Sequence, residues 1–199
     1  VEIREKQGRP ISAFLRLPAF RLALCSAALG YAVMSFLMTA VPLQIVNVSL
    51  LGEALNARVI QWHVIAMFAP SFFTGSLITR FGIRAIMTAG LVLYLAGIIV
   101  ALSGLQFWYY FATLFFVGLG WNFLYIAGTS LVTLVTEPEE RGRVQGITDM
   151  TVFTAVACAS LSAGIIHTIG GWHIMALAAL LPISIIGVTI AMTSKPSLP

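Results

Sequence analysis

The side chains able to do chemistry are few, and most stand inside apolar runs. Asp149 lies one to two turns into the run 144–169. A carboxylate there can titrate, or it can cap its own helix start near Thr148 and Arg143. His63, within Gln61-Trp62-His63, has two readings. It is a neutral, hydrogen-bonded ring near Gln44 or Asn47, or it contacts a solute or a proton, since its pKa lies near physiological pH. Asn122 and Tyr125, beside Trp121, are three apart and share a helix face. An amide in an apolar run needs a partner, either another helix or a ligand. Covalent chemistry has no support. Gly128-Thr129-Ser130-Leu131 lacks the downstream glycine of a nucleophile turn. Neither a His-Glu-x-x-His motif nor a Gly-x-x-x-x-Gly-Lys-Ser/Thr loop occurs. His167 and His173 have no cysteine or carboxylate cluster beside them, so no metal is expected. The set reads as recognition chemistry, with no enzyme activity and no cofactor.

These residues must be positioned by helices that cross a bilayer. The 199 residues are 59% hydrophobic and 9% charged, with a mean hydropathy of +0.98. Soluble domains carry about 25% charged residues. Disorder, collagen and a water-soluble enzyme are thereby excluded. At about 20 apolar residues per crossing, six spans fit, at 22–48, 57–79, 83–103, 107–136, 144–169 and 172–193. Continuous apolar character without strict alternation favours helices over barrel strands. Pro42, Pro70 and Pro182 fall within spans as kinks. Trp62, Trp108 and Trp172 fall near span ends and read as interfacial anchors.

Charge fixes the orientation. With six alternating helices, Arg4, Lys6, Arg9, Arg16, Arg21, Arg80, Arg84, Arg141, Arg143 and Lys195 share one side, and Arg58 alone faces the other. Ten basic residues against one places both ends in the cytoplasm, in the cell (inner) membrane. The basic balance therefore reflects the bilayer, not nucleic acid; a polybasic lipid site between Arg4 and Arg21 is the alternative. Residues 1–21 lack the apolar core of a signal peptide and read as a cytoplasmic linker cut from something longer. Residues 22–193 form the bundle and 194–199 a cytoplasmic tail. Cys25 and Cys158 sit in apolar runs and read as buried thiols.

The six spans also read as two sets of three. Gly30-Tyr31 precedes Thr39 with the spacing by which Gly120-Trp121 precedes Thr129, and Gly75 and Gly82 are spaced like Gly164 and Gly171. Three is odd, so the second set runs inverted relative to the first, a 3+3 inverted repeat. Ala155, Ala159 and Ala163 recur every four residues and allow close helix packing.

One loop carries a family resemblance. Gly75-Ser-Leu-Ile-Thr-Arg80-Phe-Gly82-Ile-Arg84 resembles the GxLxDRxGRR loop of the major facilitator superfamily, in the version found in the second half of those transporters. Where that pattern has an acidic residue, this chain has Thr79. Gly75 would permit close helix approach, Gly82 a tight turn, and Arg80 and Arg84 bonds to helix ends. Pro138-Glu-Glu-Arg141-Gly-Arg143-Val-Gln145-Gly146 and Gly171-Trp172 fit the same pattern.

The resemblance implies an all-α membrane fold: the C-terminal six-helix bundle of a twelve-helix secondary transporter, with the N-terminal half missing. It implies a small organic solute carried by alternating access, with proton coupling as an option. The first and fourth helices of each bundle line the cavity in that family. Asn122, Trp121, Tyr125, Tyr31, Thr39, Gln44 and His63 are then the candidate solute contacts, and an aromatic-rich wall suits a ring-bearing solute. Asp149 becomes a gate latch to a basic loop of the missing half, alongside Gly75, Arg80, Gly82, Arg84, Arg141 and Arg143. The expected partners are the bilayer, the missing half and the solute. A non-transporting receptor or scaffold on the same bundle is the other reading.

Overall fold

The computed structural model describes residues 8–193. Arg4, Lys6 and the tail 194–199 with Lys195 lie outside the described residues. The elements are α1 (Ile11–Arg16), α2 (Pro18–Pro42) running into a π-helical turn (Leu43–Val48), α3 (Glu53–Phe68), α4 (Ser71–Phe81), α5 (Ile83–Ser103), α6 (Phe107–Val135) and α7 (Pro138–Met192).

Local chemistry sets the helix limits. Pro18 occupies the first turn of α2, where a missing N–H costs nothing, so the helix starts four residues ahead of the expected boundary at Leu22. Pro42 cannot donate back to the ladder, and beyond it the register widens. Ser49 N–H reaches the Gln44 carbonyl at 2.8 Å, five residues back. α3 and α4 form one span bent by 42° at a short break that contains Pro70. The 55 residues of α7 would extend about 80 Å at about 1.5 Å per residue, against about 30 Å of hydrocarbon. Gly171, at φ 65° and ψ −171°, divides it into 138–170 and 172–192. The six expected crossings are therefore present.

The neighbour order fixes their directions. Along α2, Ala28, Ser35 and Gln44 face Val152, Ser160 and His167 in rising order, so spans one and five run parallel. Gly128 packs on Ala23 and Ala27, and Tyr110 bonds Gln44, so α6 runs against α2. Gly90 and Gly97 of α5 meet Gly120 and Thr113 of α6, again antiparallel. In the last span Trp172, Gly187 and Ala191 meet Ala101, Leu91 and Arg84 of α5 in falling order. This alternation gathers Arg80, Arg84, Arg141 and Arg143 at one end of the bundle, the basic end. The inverted repeat also has a backbone signature. Gly82 (φ 87°, ψ 151°) and Gly171 (φ 65°, ψ −171°) turn the second span of each set into the third, in a region open essentially to glycine alone.

The core lies where spans one, three and four cross. Tyr94 is fully buried and donates from Oη to the Gly30 carbonyl at 2.7 Å. Gly90 and Gly120 pack so closely that a Cβ on either would lie 2.9 Å from the other's carbonyl oxygen. The outward faces are apolar too, with Phe72, Leu161 and Leu181 among the exposed side chains, as a bundle in lipid requires. Trp62 and Trp108 are exposed on that surface. Trp172 corrects the anchor expectation. It is buried, and its indole N–H donates to the Ala101 carbonyl at 3.0 Å. The tight turn at Gly171 directs the ring into the bundle, not out toward the headgroups.

Candidate functional site: an aromatic cluster between two polar ends

Tyr31 on α2 and Trp121 and Tyr125 on α6 are brought together. Trp121 and Tyr125, four apart and so one helical turn from each other, stack at 5.1 Å with planes 11° apart. Tyr31 meets both edge-on, at 5.0 Å from Trp121 and 5.4 Å from Tyr125. The structure adds two rings that sequence reasoning missed. Phe68 lies 5.8 Å from Trp121, and Phe153 lies 6.2 Å from Tyr31. Phe68 ends α3 at the break, and Phe153 sits four residues beyond Asp149 on α7; neither has a sequence signal apart from being aromatic. Trp121 is 5% exposed, Tyr31 and Tyr125 are half-buried, and Phe68 and Phe153 are exposed. The cluster thus has a buried floor and an open rim. Offset and edge-on ring contacts of this kind contribute about 0.5–1.5 kcal/mol each beyond their burial.

Asn122 is adjacent in sequence but differently employed. Its Nδ2 donates to the Met67 carbonyl and to Ser71 Oγ, both at 2.7 Å, and its Oδ1 accepts from Thr74 Oγ1 at 2.6 Å. These partners flank the α3–α4 break, whose freed carbonyls need donors. Both amide hydrogens are used inside the bundle, so the side chain staples the bent span.

The remaining predicted contacts stand apart from the rings. Gln44 is about 20 Å along α2 from Tyr31, at about 1.5 Å per residue, at the end opposite the arginines. There His167 Nε2 and Gln44 Oε1 are 2.9 Å apart, and Gln44 Nε2 donates to Tyr110 Oη (3.1 Å) and Ser49 Oγ (3.2 Å). The histidine expected beside Gln44 was His63. The parallel packing of spans one and five supplies His167 instead. His63 is fully buried on α3, and its Nδ1–H donates to the Leu114 carbonyl at 2.6 Å. Thr39 is half-buried between Tyr31 and Gln44.

At the basic end, Asp149 is half-buried and accepts from Gln145 Nε2 of its own helix at 2.8 Å. Gly82 makes the expected turn, and Arg84 reaches the Ala191 carbonyl at the end of α7 at 3.5 Å. Arg80 lies over the Phe81 ring at 5.2 Å, and Thr79 bonds the Ser76 carbonyl of its own helix. The close approach expected at Gly75 is not made among the described residues: a Cβ there would meet nothing within 4 Å. Arg141 and Arg143 are exposed. The charged contact at this end is one the sequence reading missed. Arg9 donates from Nε and Nη2 to both carboxylate oxygens of Glu140, at 3.0 and 2.7 Å, and its backbone N–H adds a third bond at 2.8 Å. Arg9 also covers the buried Phe14 ring at 4.5 Å, and Arg143 donates to the Arg9 carbonyl. The bonds from Arg9 hold the Glu140 carboxyl down at about 2, and the bond to Glu140 in turn raises Arg9. A signal was present: Glu137 and Glu140 form a capping box at the start of α7, the spacing that opens helices. The part of the segment 1–21 that is described is therefore fastened to the bundle.

A bundle of six alternating apolar helices, with basic turns at one end and an aromatic cluster open to one side, defines a polytopic membrane protein. The chain belongs to the Major Facilitator Superfamily, whose family model matches residues 22–198. It is 46% identical over 168 residues to the riboflavin transporter RfnT of Brucella anthropi, covering 83% of this chain and 42% of that protein. It is 36% identical over 110 residues (54% of this chain, 26% of the relative) to the uncharacterized MFS-type transporter YdeG of Bacillus subtilis. A second Bacillus subtilis protein, the uncharacterized MFS-type transporter YddS, is 29% identical over 167 residues (81% and 38%). The chain spans less than half the length of these relatives.

Proposed function

We propose that this bundle is the C-terminal half of an alternating-access carrier for a small organic solute with a planar ring, and that it acts without enzyme chemistry. The carrying observation is the cluster of Tyr31, Trp121 and Tyr125, whose half-buried tyrosine rings over a buried indole offer a planar solute an aromatic surface inside the membrane. The 46% identical relative is named a riboflavin transporter, and riboflavin is a planar heterocycle of the kind such rings stack against. Riboflavin or a chemically similar ring is accordingly the first solute to try. The basic end faces the cytoplasm of the cell (inner) membrane by the positive-inside rule. The second bundle of the full-length parent closes the open rim and rocks against this one. Solute must be held in inward-open and outward-open states with comparable affinity, or one state becomes a trap.

The test is uptake by the full-length parent in proteoliposomes, with riboflavin heading a panel of ring-bearing solutes. Saturable flux, weakened by Tyr31→Ala and Tyr125→Ala, is the expected result. Binding without flux returns the receptor or scaffold reading, and neither binding nor flux removes the ring-solute reading. Proton coupling is assigned to Asp149, half-buried in span five beside Gln145. It predicts that an imposed pH gradient drives uptake and that Asp149→Asn abolishes that drive while counterflow persists. Gating at Asp149, Arg80, Arg84, Arg141 and Arg143 belongs to the same proposal, with the other half supplying their partners.

A further inference from the structure

Three buried side-chain polar atoms have no hydrogen-bond partner among the described residues: Asn56 Oδ1, His63 Nε2 and Trp121 Nε1. The first two are acceptors on α3, outside the ring cluster. The third is a donor, and it belongs to the floor of that cluster. An indole N–H that is 95% buried with no acceptor bears the desolvation cost of an unpaired donor. The chain satisfies its other buried indole, Trp172, with the Ala101 carbonyl. The ring neighbours of Trp121 are Tyr31, Phe68 and Tyr125, and neither tyrosine hydroxyl accepts from its indole. Trp121 and Tyr125 are too close, at 5.1 Å, for a third ring to enter between them. An incoming ring must therefore lie beside this stack, not within it.

We propose that the Trp121 indole N–H is the donor that reads an in-plane acceptor nitrogen on a planar heterocyclic solute. The assignment rests on the solute reading above and deepens it. The tyrosine rings accept any flat ring of suitable size, so they supply affinity with little discrimination. A single fixed donor in a low-dielectric site separates a heterocycle carrying an acceptor from the same skeleton carrying C–H, because the C–H analogue leaves the donor unpaired.

The experiment uses the purified full-length parent and a series of flavin analogues in which each ring nitrogen in turn is replaced by C–H, together with riboflavin itself. Binding is read by quenching of flavin fluorescence. Wild type is expected to bind one analogue about tenfold more weakly than riboflavin, the ratio of one hydrogen bond. Trp121→Phe is expected to bind riboflavin about tenfold more weakly and to lose that discrimination. Benzothienylalanine at position 121 keeps the bicyclic shape without the N–H and should behave like Trp121→Phe, which separates the lost bond from a lost fit. Retained discrimination in either variant overturns the assignment while leaving the solute reading intact. An equal loss for every analogue also overturns it, since the acceptor then belongs to the protein. A wild type that binds no member of the series overturns the solute reading instead.

Discussion

The two middle spans of the repeat are built to one plan and finished differently. In the first set, α3 and α4 meet at a 42° bend that contains Pro70, and Asn122 of the other set bonds three groups across the break. In the second set, residues 138–170 run as one helix, and the position matching Pro70 by the Gly82–Gly171 offset is Ala159. Ala159 packs on the core within the alanine stripe, and the nearby Ser160 exchanges a single hydrogen bond with Ser35 at 2.7 Å. The bent span thus draws on backbone and hydroxyl partners, and the straight one on small-residue contact. Yet both end on a glycine in the same unusual conformation. The framework is shared between the sets, and the polar detail is not; it is the unshared detail that bends Phe68 toward the aromatic cluster.

The sharpest way to break this symmetry is at its matched glycines. Gly30 and Gly120 correspond in sequence, but a Cβ on Gly120 would sit 2.9 Å from the Gly90 carbonyl oxygen, whereas one on Gly30 would meet nothing nearer than 3.4 Å. Gly120→Ala should destabilise the bundle by about 3 kcal/mol, the upper range for overpacking, because a backbone oxygen cannot swing aside. Gly30→Ala should change it by less than about 0.5 kcal/mol. Denaturation in a mild detergent reads both, and equal effects would mean the crossing is as tight at both. Gly82 and Gly171 should instead respond alike. Alanine at either position is strained by about 2 kcal/mol, since the backbone region is open to glycine and neither site has a neighbour to clash with. A loss at one and none at the other would show that the turns are not equivalent.

Asn122→Ala comes next. Three intramembrane hydrogen bonds at about 0.6 kcal/mol each give just under 2 kcal/mol. The bend should also loosen, so spin labels on either side of Ala69 and Pro70 should report a broader distance distribution. An unchanged distribution would assign the bend to Pro70 alone.

How much of this was legible depends on the length scale of the cause. Span α5 was read to the residue, Ile83–Ser103, because glycines flank it on both sides and its interior is uninterrupted. The repeat was legible from glycine spacing, and the grouping of Tyr31 with Trp121 and Tyr125 followed once spans one and four were taken to face a common cavity. Contacts between distant residues were not legible. His167 and Gln44 are 123 positions apart, and Arg9 and Glu140 are 131 apart; the first pair depends on how parallel spans slide into register, the second on how the non-helical stretch before α1 returns to the start of α7. Polarity and depth alone placed His63 beside Gln44, since both lie toward the same end. Asn122 could be read as bonding another helix or a ligand, and the choice was not legible because nothing in the sequence says that a proline break on another span will present carbonyls to it.

The smallest effect lies at the charged start of the straight span, where the bent one has no counterpart among the described residues. Glu140 is 3% exposed and held by three bonds from Arg9. Its carboxyl is depressed from an ordinary 4.5 to about 2. A depressed carboxyl favours the fastened state in full above its ordinary value. That contribution declines as the pH falls from about 4.5 toward 2, because the free form takes up its proton first. A spin label at the exposed Ser12 of α1 should therefore stay immobilised from neutral pH to about 5 and loosen below 4.5. Glu140→Gln should loosen it at every pH and remove the titration, while Arg9→Lys should do so in part, since a lysine cannot span both carboxylate oxygens. The helix core, read by a second label in α5, should not respond to either change. Loosening near pH 6–7 in the wild type would assign the transition to a histidine, and an immobile label in Glu140→Gln would mean that packing of Phe14, not the ion pair, fastens the segment to the bundle.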